Sequence, residues 1–171
     1  MDFDYIVTDN AQRIFTELVE PNKTPGNCYN LIGSYGTGKS SFLVALEQSI
    51  SGKKSFFKSK KRQKNIGFLK LIGKPQSIKH ALTEALEMNP KSDVEAIQSK
   101  LTELATKHTK LYILVDELGK FVEYALNNNP KVETYVFQRL AEFINDPKSN
   151  ICWVGTLHQN IDSYASSAST A

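Results

Sequence analysis

The sequence predicts an α/β protein with helices packed on both faces of a mostly parallel sheet. Three observations carry this expectation. Short apolar runs alternate with stretches of helical periodicity along the chain, the pattern of strand–helix–strand crossovers. The run Leu111-Tyr112-Ile113-Leu114-Val115 is apolar without a break, as in a strand covered on both faces. A glycine-rich turn, Gly33 to Gly38, joins the first apolar run to a helical stretch.

The elements follow in order. Residues 8–20 read as a helix capped by Thr8 or Asp9, with Ile14, Phe15, Leu18 and Val19 at helical spacing. The connector PNKTPGN at 21–27 is rich in turn formers. Residues 28–32 form the first strand, and 39–50 form a helix with Phe42, Leu43, Ala45 and Leu46 inward. A loop starting at Ser51-Gly52 leads to a second strand at 66–72, stopped by Gly73-Lys74-Pro75. Residues 76–88 and 92–107 are helical and broken at Asn89-Pro90. The third strand is 111–115. Helices at 118–127 and 131–145 are separated by Asn127-Asn128-Asn129-Pro130, and a fourth strand spans 151–156. From Ser163 the segment SYASSASTA is low in complexity and reads as a flexible tail or truncation edge. The expected organisation is an N-terminal helix and connector at 1–27, a core at 28–162 and the tail at 163–171.

Composition sets outer bounds. The chain has 171 residues, 40% of them apolar and 23% charged, which suits one globular core. It holds no apolar run of about 18 residues, so no membrane-spanning helix is expected. The start, Met1-Asp2-Phe3-Asp4, is acidic and lacks the apolar stretch of a secretory signal, which points to the cytoplasm. Cys28 and Cys152 sit in strand-like runs and read as two buried thiols of a reducing compartment, with a disulfide as the alternative.

The net charge of +3 conceals an uneven distribution. Between Glu47 and Glu84 lie 36 residues without an acid, and they hold ten of the 21 basic residues. The remainder carries 11 basic and 18 acidic residues, a net of −7. The densest part contains Lys53, Lys54, Lys58, Lys60, Lys61, Arg62 and Lys64, with Phe56 and Phe57 among them. Basic residues interleaved with aromatics can grip DNA or RNA. The alternative is a solvated loop whose phenylalanines anchor it to the core.

Gly33-Ser34-Tyr35-Gly36-Thr37-Gly38-Lys39-Ser40 fits the pattern G-x-x-x-x-G-K-[ST]. Such a loop wraps its N–H groups around phosphate oxygens, and the next helix points its positive end at the same anion. Its position after a strand and before an amphipathic helix separates it from a chance match. Lys39 is expected to reach the terminal phosphates, Ser40 to ligate Mg²⁺, and Ser41 to extend the binding loop.

The third strand ends in two acids. Asp116 is the candidate for the Mg²⁺ shell, and Glu117 for polarising the water that attacks the γ-phosphate. The plainer alternative has Glu117 only capping the next helix. At the end of the fourth strand, Thr156, His158 and Gln159 are candidates to sense the γ-phosphate, with Thr156 favoured and His158 next. His80, His108 and His158 show no metal-ligand spacing, so zinc is not expected. No N-K-x-D follows the phosphate loop, which leaves adenine as the default base. The segment from Tyr5 to residue 8 is the candidate wall of its pocket.

Together GSYGTGKSSFL, VDELGKFVEYA and GTLHQ resemble the AAA+/STAND-like P-loop ATPase modules of bacterial ATP-binding proteins, in the class with an additional catalytic glutamate. The YGTGKS form is similar to ATPases of phage-defence and restriction loci, including the BREX type. The resemblance covers roughly residues 5–162. It implies a three-layer P-loop core with an extra strand between the phosphate-loop strand and the Mg²⁺-carboxylate strand. It also implies ATP and Mg²⁺ as cofactors, nucleotide chemistry at Lys39, Ser40, Asp116 and Glu117, and sensing at Thr156 or His158. A full module of this type carries a fifth strand, an arginine finger and a helical lid. The sequence shows none of these, which leads to the expectation of an N-terminal piece of a larger ATPase. Of Arg13, Arg62 and Arg139, only Arg139 is placed to act on a neighbouring copy, and a plain surface role is its alternative.

The expected function is therefore Mg²⁺-dependent ATP hydrolysis that drives assembly or a nucleic-acid-related, antiviral activity. Self-association or a partner protein is expected, and no membrane. A slow nucleotide-dependent signalling switch is the alternative. A small-molecule kinase is a third, disfavoured because the Asp116-Glu117 pair suits water activation.

Overall fold

The computed structural model describes residues 3–20, 26–59 and 63–168. Among these residues there are four strands: β1 (Cys28–Ile32), β2 (Ile66–Ile72), β3 (Lys110–Asp116) and β4 (Ile151–Leu157). The helices are α1 (Asp9–Val19), α2 (Lys39–Ser51), α3 (Ile78–Ala85), α4 (Val94–Thr106), α5 (Leu118–Asn127), α6 (Pro130–Ile144) and α7 (Ile161–Ala168). The sheet is parallel throughout, in the order β1-β4-β3-β2. The last strand in sequence therefore lies between the strand that feeds the glycine-rich loop and the strand that ends in the acids.

Alternation along the central strands divides the core into two halves. Leu111, Ile113 and Val115 of β3 face one side of the sheet, with Ile78, Leu82, Ile97, Leu101, Phe121 and Leu140 from α3–α6. Tyr112 and Leu114 face the other, with Phe15 and Leu18 of α1 and Phe42, Leu43 and Leu46 of α2. Successive side chains of a strand point to opposite faces, so one apolar run supplies both layers. All seven residues of β4 are buried, as its central position requires.

Local signals set the helix boundaries. The hydroxyl of Thr8 accepts the Ala11 N–H and caps α1, and the Asp93 carboxylate accepts the Ala96 N–H and caps α4. The stretch expected to be helical over 76–88 is shorter: α3 begins after the Ser77 cap and ends at Ala85, with Glu87 at a positive φ of 53°.

One expectation changes. The tail expected from Ser163 is helical to Ala168, and Tyr164 is buried against α5. Its Ser/Ala composition carries too few apolar residues for the periodicity to register, and packing on α5 supplies what local propensity lacks. The cysteines are free and lie in opposite halves of the core: Cys28 packs with the α6 side, half-buried, and Cys152 lies fully buried beside α1 and α2. Burial pushes the thiols up, Cys28 to about 11 and Cys152 to about 12.

In the basic stretch, Lys60, Lys61 and Arg62 lie outside the described residues. Phe57 is buried and stacked on Phe15 at 4.5 Å, and Phe56 packs edge-on to Phe3 at 5.6 Å. These two aromatics anchor the segment to α1 and to the N-terminal residues Phe3 and Tyr5, so they are not free faces for bases. Lys53, Lys58 and Lys64 are exposed. No helix of the described residues is long and apolar enough to cross a membrane.

Candidate active site

The glycine-rich loop leaves the C-terminal end of β1 and turns into α2. Its first residue is tied to the neighbouring strand, because the Gly33 N–H donates to the carbonyl of Leu157 at 3.1 Å. Gly36 and Gly38 have φ of 77° and 82°, a region that residues with a Cβ rarely enter. Gly38 precedes α2 without any side-chain cap, and no acid stands in the first turn. The N-terminal N–H groups of α2 and its positive dipole end are thus left for an external anion. Lys39 curls back over the loop. Its ammonium donates to the carbonyls of Gly33 at 2.5 Å and Ser34 at 2.7 Å, and lies 3.3 Å from Thr37 Oγ1. Thr37 Oγ1 in turn donates to Ser34 O at 2.8 Å. Ser34, Tyr35, Gly36, Thr37, Gly38, Ser40 and Ser41 are all exposed, so the loop is open to solvent.

The acid pair lies at the end of β3. Asp116 continues the strand, while Glu117 turns into the left-handed region at φ 54°, ψ 42°. Such a residue is strained by about 1–3 kcal/mol unless its surroundings hold it. Here they do. The Glu117 N–H donates to Asp116 Oδ1 at 3.0 Å and to Thr156 Oγ1 at 2.8 Å. The Thr156 hydroxyl donates its own proton to Asp116 Oδ1, also at 2.8 Å. Gly73, past the end of β2, donates its N–H to Asp116 O at 2.8 Å, and a Cβ there would overlap the Glu117 carbonyl. The Glu117 side chain does not cap α5; its Oε2 accepts from the Lys120 ammonium at 2.5 Å instead. That hydrogen bond raises Lys120 above the usual lysine range. Glu117 therefore occupies the N-cap position of α5 without a side-chain capping bond.

Register explains why Thr156 meets the acids. In the parallel β3–β4 ladder Val115 pairs with Gly155, which brings the next residues, Asp116 and Thr156, side by side. The three residues weighed at the end of β4 then part company. Thr156, 2% exposed, spends its hydroxyl on the acid pair. His158 stacks on Tyr35 of the glycine-rich loop, with ring centroids 3.5 Å apart and planes 18° apart. Gln159 is exposed. The N-terminal segment lies beside the loop: Tyr5, Thr8, Tyr29, Gly33, Gly38 and Lys39 border one cleft of about 520 Å³. Arg139 on α6 pairs with Glu95 of α4 at 3.6 Å, a tie between helices, and with Glu142 of its own helix at 3.4 Å.

Four participants were not singled out from sequence: Leu157, Gly73, Gly119 and Tyr164. Gly119, inside a helical run two residues after Glu117, was the one with a readable signal, since glycine in a helix marks a close approach.

No family model matches the chain, and no curated protein does. Among solved structures, the chain is similar to one in the structure of Drosophila ORC bound to DNA, with a TM-score of 0.58 and 13% identity. The match covers 89% of this chain and 37% of that one. At that identity the likeness is one of fold, and the chain spans little more than a third of the length of the protein it matches.

Proposed function

We propose that the chain is an ATP-binding, Mg²⁺-dependent ATP-hydrolysing module of a larger ATPase of AAA+ type. One observation carries the reading. Hydrogen bonds tie three adjacent strand ends through two neighbouring residues of β4: the Gly33 N–H donates to Leu157 O, and Thr156 bonds Asp116 and Glu117. An uncapped helix start and a braced acid pair thus share one edge of the sheet, where open α/β folds bind ligands.

The residues present fit a Mg²⁺–nucleotide. Ser40 offers an exposed hydroxyl, and both hydrogen bonds to the Asp116 carboxylate go to Oδ1, leaving Oδ2 as a hard oxygen donor. Bound there with the phosphates, Mg²⁺ would offset the charge that develops during transfer. The chain's own groups do the rest. The loop N–H groups and the start of α2 receive phosphate oxygens, and Lys39 exchanges its internal carbonyls for them. Glu117, released from Lys120, accepts the proton of the attacking water. Thr156 keeps Asp116 and Glu117 in register, and His158 stands against the loop as the contact that responds to the γ-phosphate. Tyr5 and Thr8 wall the adenine side of the cleft.

Calorimetric titration with ATP and ADP, with and without DNA, tests the binding step. Lys39→Ala should abolish ATP binding, and ATP binding that survives it would overturn the reading. The placement in phage defence rests on the sequence resemblance alone. Exposed Lys53, Lys58 and Lys64, and the likeness to a protein solved on DNA, support nucleic-acid contact through the basic stretch. That contact should weaken steeply with salt and disappear when Lys60, Lys61 and Arg62 are charge-reversed.

A second reading, the slow switch, is favoured by one feature: Lys39 and Glu117 are both engaged internally, by the loop carbonyls and by Lys120. Single-turnover hydrolysis measured across protein concentration separates the two, since a switch that completes its site on self-association gains rate per molecule with concentration.

A further inference from the structure

We propose that Tyr164 of α7 is a positioning residue for this site, joining α7 to the acid pair and to the phosphate loop at once; the inference rests on the ATPase reading above. Tyr164 is 4% exposed and seated against the start of α5. Its place exists only because residue 119 is glycine: a Cβ there would overlap the Tyr164 hydroxyl and stand 2.8 Å from Cζ. Gly119 is two residues from Glu117, so the tyrosine abuts the backbone that aims the candidate base. The Tyr164 hydroxyl oxygen also accepts the backbone N–H of His158 at 3.3 Å. His158 carries the link onward through its stack on Tyr35. Among the described residues His158 Nδ1 is buried without a hydrogen-bond partner. The ring's contact is its stack on Tyr35, and the Tyr164 bond holds the backbone that carries it.

The chemistry of the seat supports a role for the hydroxyl. A phenylalanine would fill the same space, and a buried hydroxyl is costly unless it is bonded. Its bond goes to the residue that touches the phosphate loop. Tyr164 thus touches both the residue that stacks on the loop and the turn that carries Glu117, so its seating bears on how Glu117 is aimed.

The test compares Tyr164→Phe with the parent chain. Three results are expected. The ATP dissociation constant stays within about twofold while kcat falls about tenfold, because misplacement of a base affects the chemical step more than ground-state binding. The His158 amide exchanges faster with solvent in the nucleotide-free protein, a readout independent of activity. Gly119→Ala and Tyr164→Phe combine non-additively, since both act on one contact. An unchanged kcat and unchanged His158 exchange in Tyr164→Phe, in a parent chain that hydrolyses ATP, overturn this inference alone. So does a double variant whose loss is the product of the two single losses. A parent chain that binds no ATP overturns the ATPase reading and this inference with it.

Discussion

Replacing Thr156 by valine isolates the brace beneath the acid pair. The change keeps the β-branched shape and replaces the hydroxyl by a methyl, so little cavity is opened. Two interactions go: the hydroxyl's donation to Asp116 Oδ1 at 2.8 Å and its acceptance of the Glu117 N–H at 2.8 Å. The first is a bond to a charged group, about 1.5–3 kcal/mol when buried. Asp116 is half-buried, which favours the lower half of that range. The second costs less, because the Glu117 N–H keeps Asp116 Oδ1 at 3.0 Å. Valine's greater apolarity in a seat 2% exposed offsets part of the loss. The sum is a destabilisation of about 2 kcal/mol, a fall of about 1 M in the urea midpoint for an m of about 2 kcal/mol/M. Thr156→Ser keeps the hydroxyl and loses one methyl, about 1 kcal/mol. Urea unfolding followed by circular dichroism measures both variants. A valine variant as stable as the parent, or more stable than the serine variant, would refute the brace. In the same valine variant hydrolysis should drop about tenfold or more, since Glu117 loses one of the bonds that hold its left-handed turn.

Three further outcomes are expected. Glu117→Gln should bind ATP and fail to turn it over in a single-turnover assay; surviving hydrolysis would remove Glu117 from the role of base. Gly73→Ala should lower the urea midpoint more than Gly36→Ala, because only at residue 73 does an added Cβ meet backbone, at the Glu117 carbonyl; equal effects would contradict the close approach. Stability should fall as the solution is made alkaline. The buried Cys152 thiol, pushed up to about 12, keeps its proton where the unfolded chain, with a thiol near 9, has lost it. Its contribution is complete below pH 9 and is lost on the way to pH 12, with a slope approaching about 1.4 kcal/mol per pH unit. Cys152→Ala should flatten that slope; an unchanged slope would assign the loss to other groups.

The legible part of the site was contiguous in sequence. Eight residues from Gly33 to Ser40 contain the turn, the uncapped helix start and the lysine, so their pattern needs no knowledge of distant contacts. The acid pair was legible for the same reason, as the abrupt end of an apolar run. The tail was not. Tyr164 gains its burial from Gly119, 45 residues earlier, and nothing in SYASSASTA announces a partner. Phe56 and Phe57 leave base-stacking open beside the anchored-loop reading, and the stack of Phe57 on Phe15 shows Phe57 as an anchor.

The sequence by itself determined the alternation of strands and helices, the phosphate-type loop and the order of the candidate residues along the chain. Periodicity and turn chemistry act over a few residues, and a few residues suffice to display them. The tertiary structure decided how three candidates at one strand end divide their work. Thr156 and His158 are two residues apart, the first within β4 and the second just past its end. Yet one reaches the acids because Val115 pairs with Gly155, and the other reaches the loop because β1 is the next strand over. Strand order and register are properties of the closed sheet. They are settled by which apolar faces can be buried together, so residues 40 or more apart in the chain become neighbours without any local sign of it.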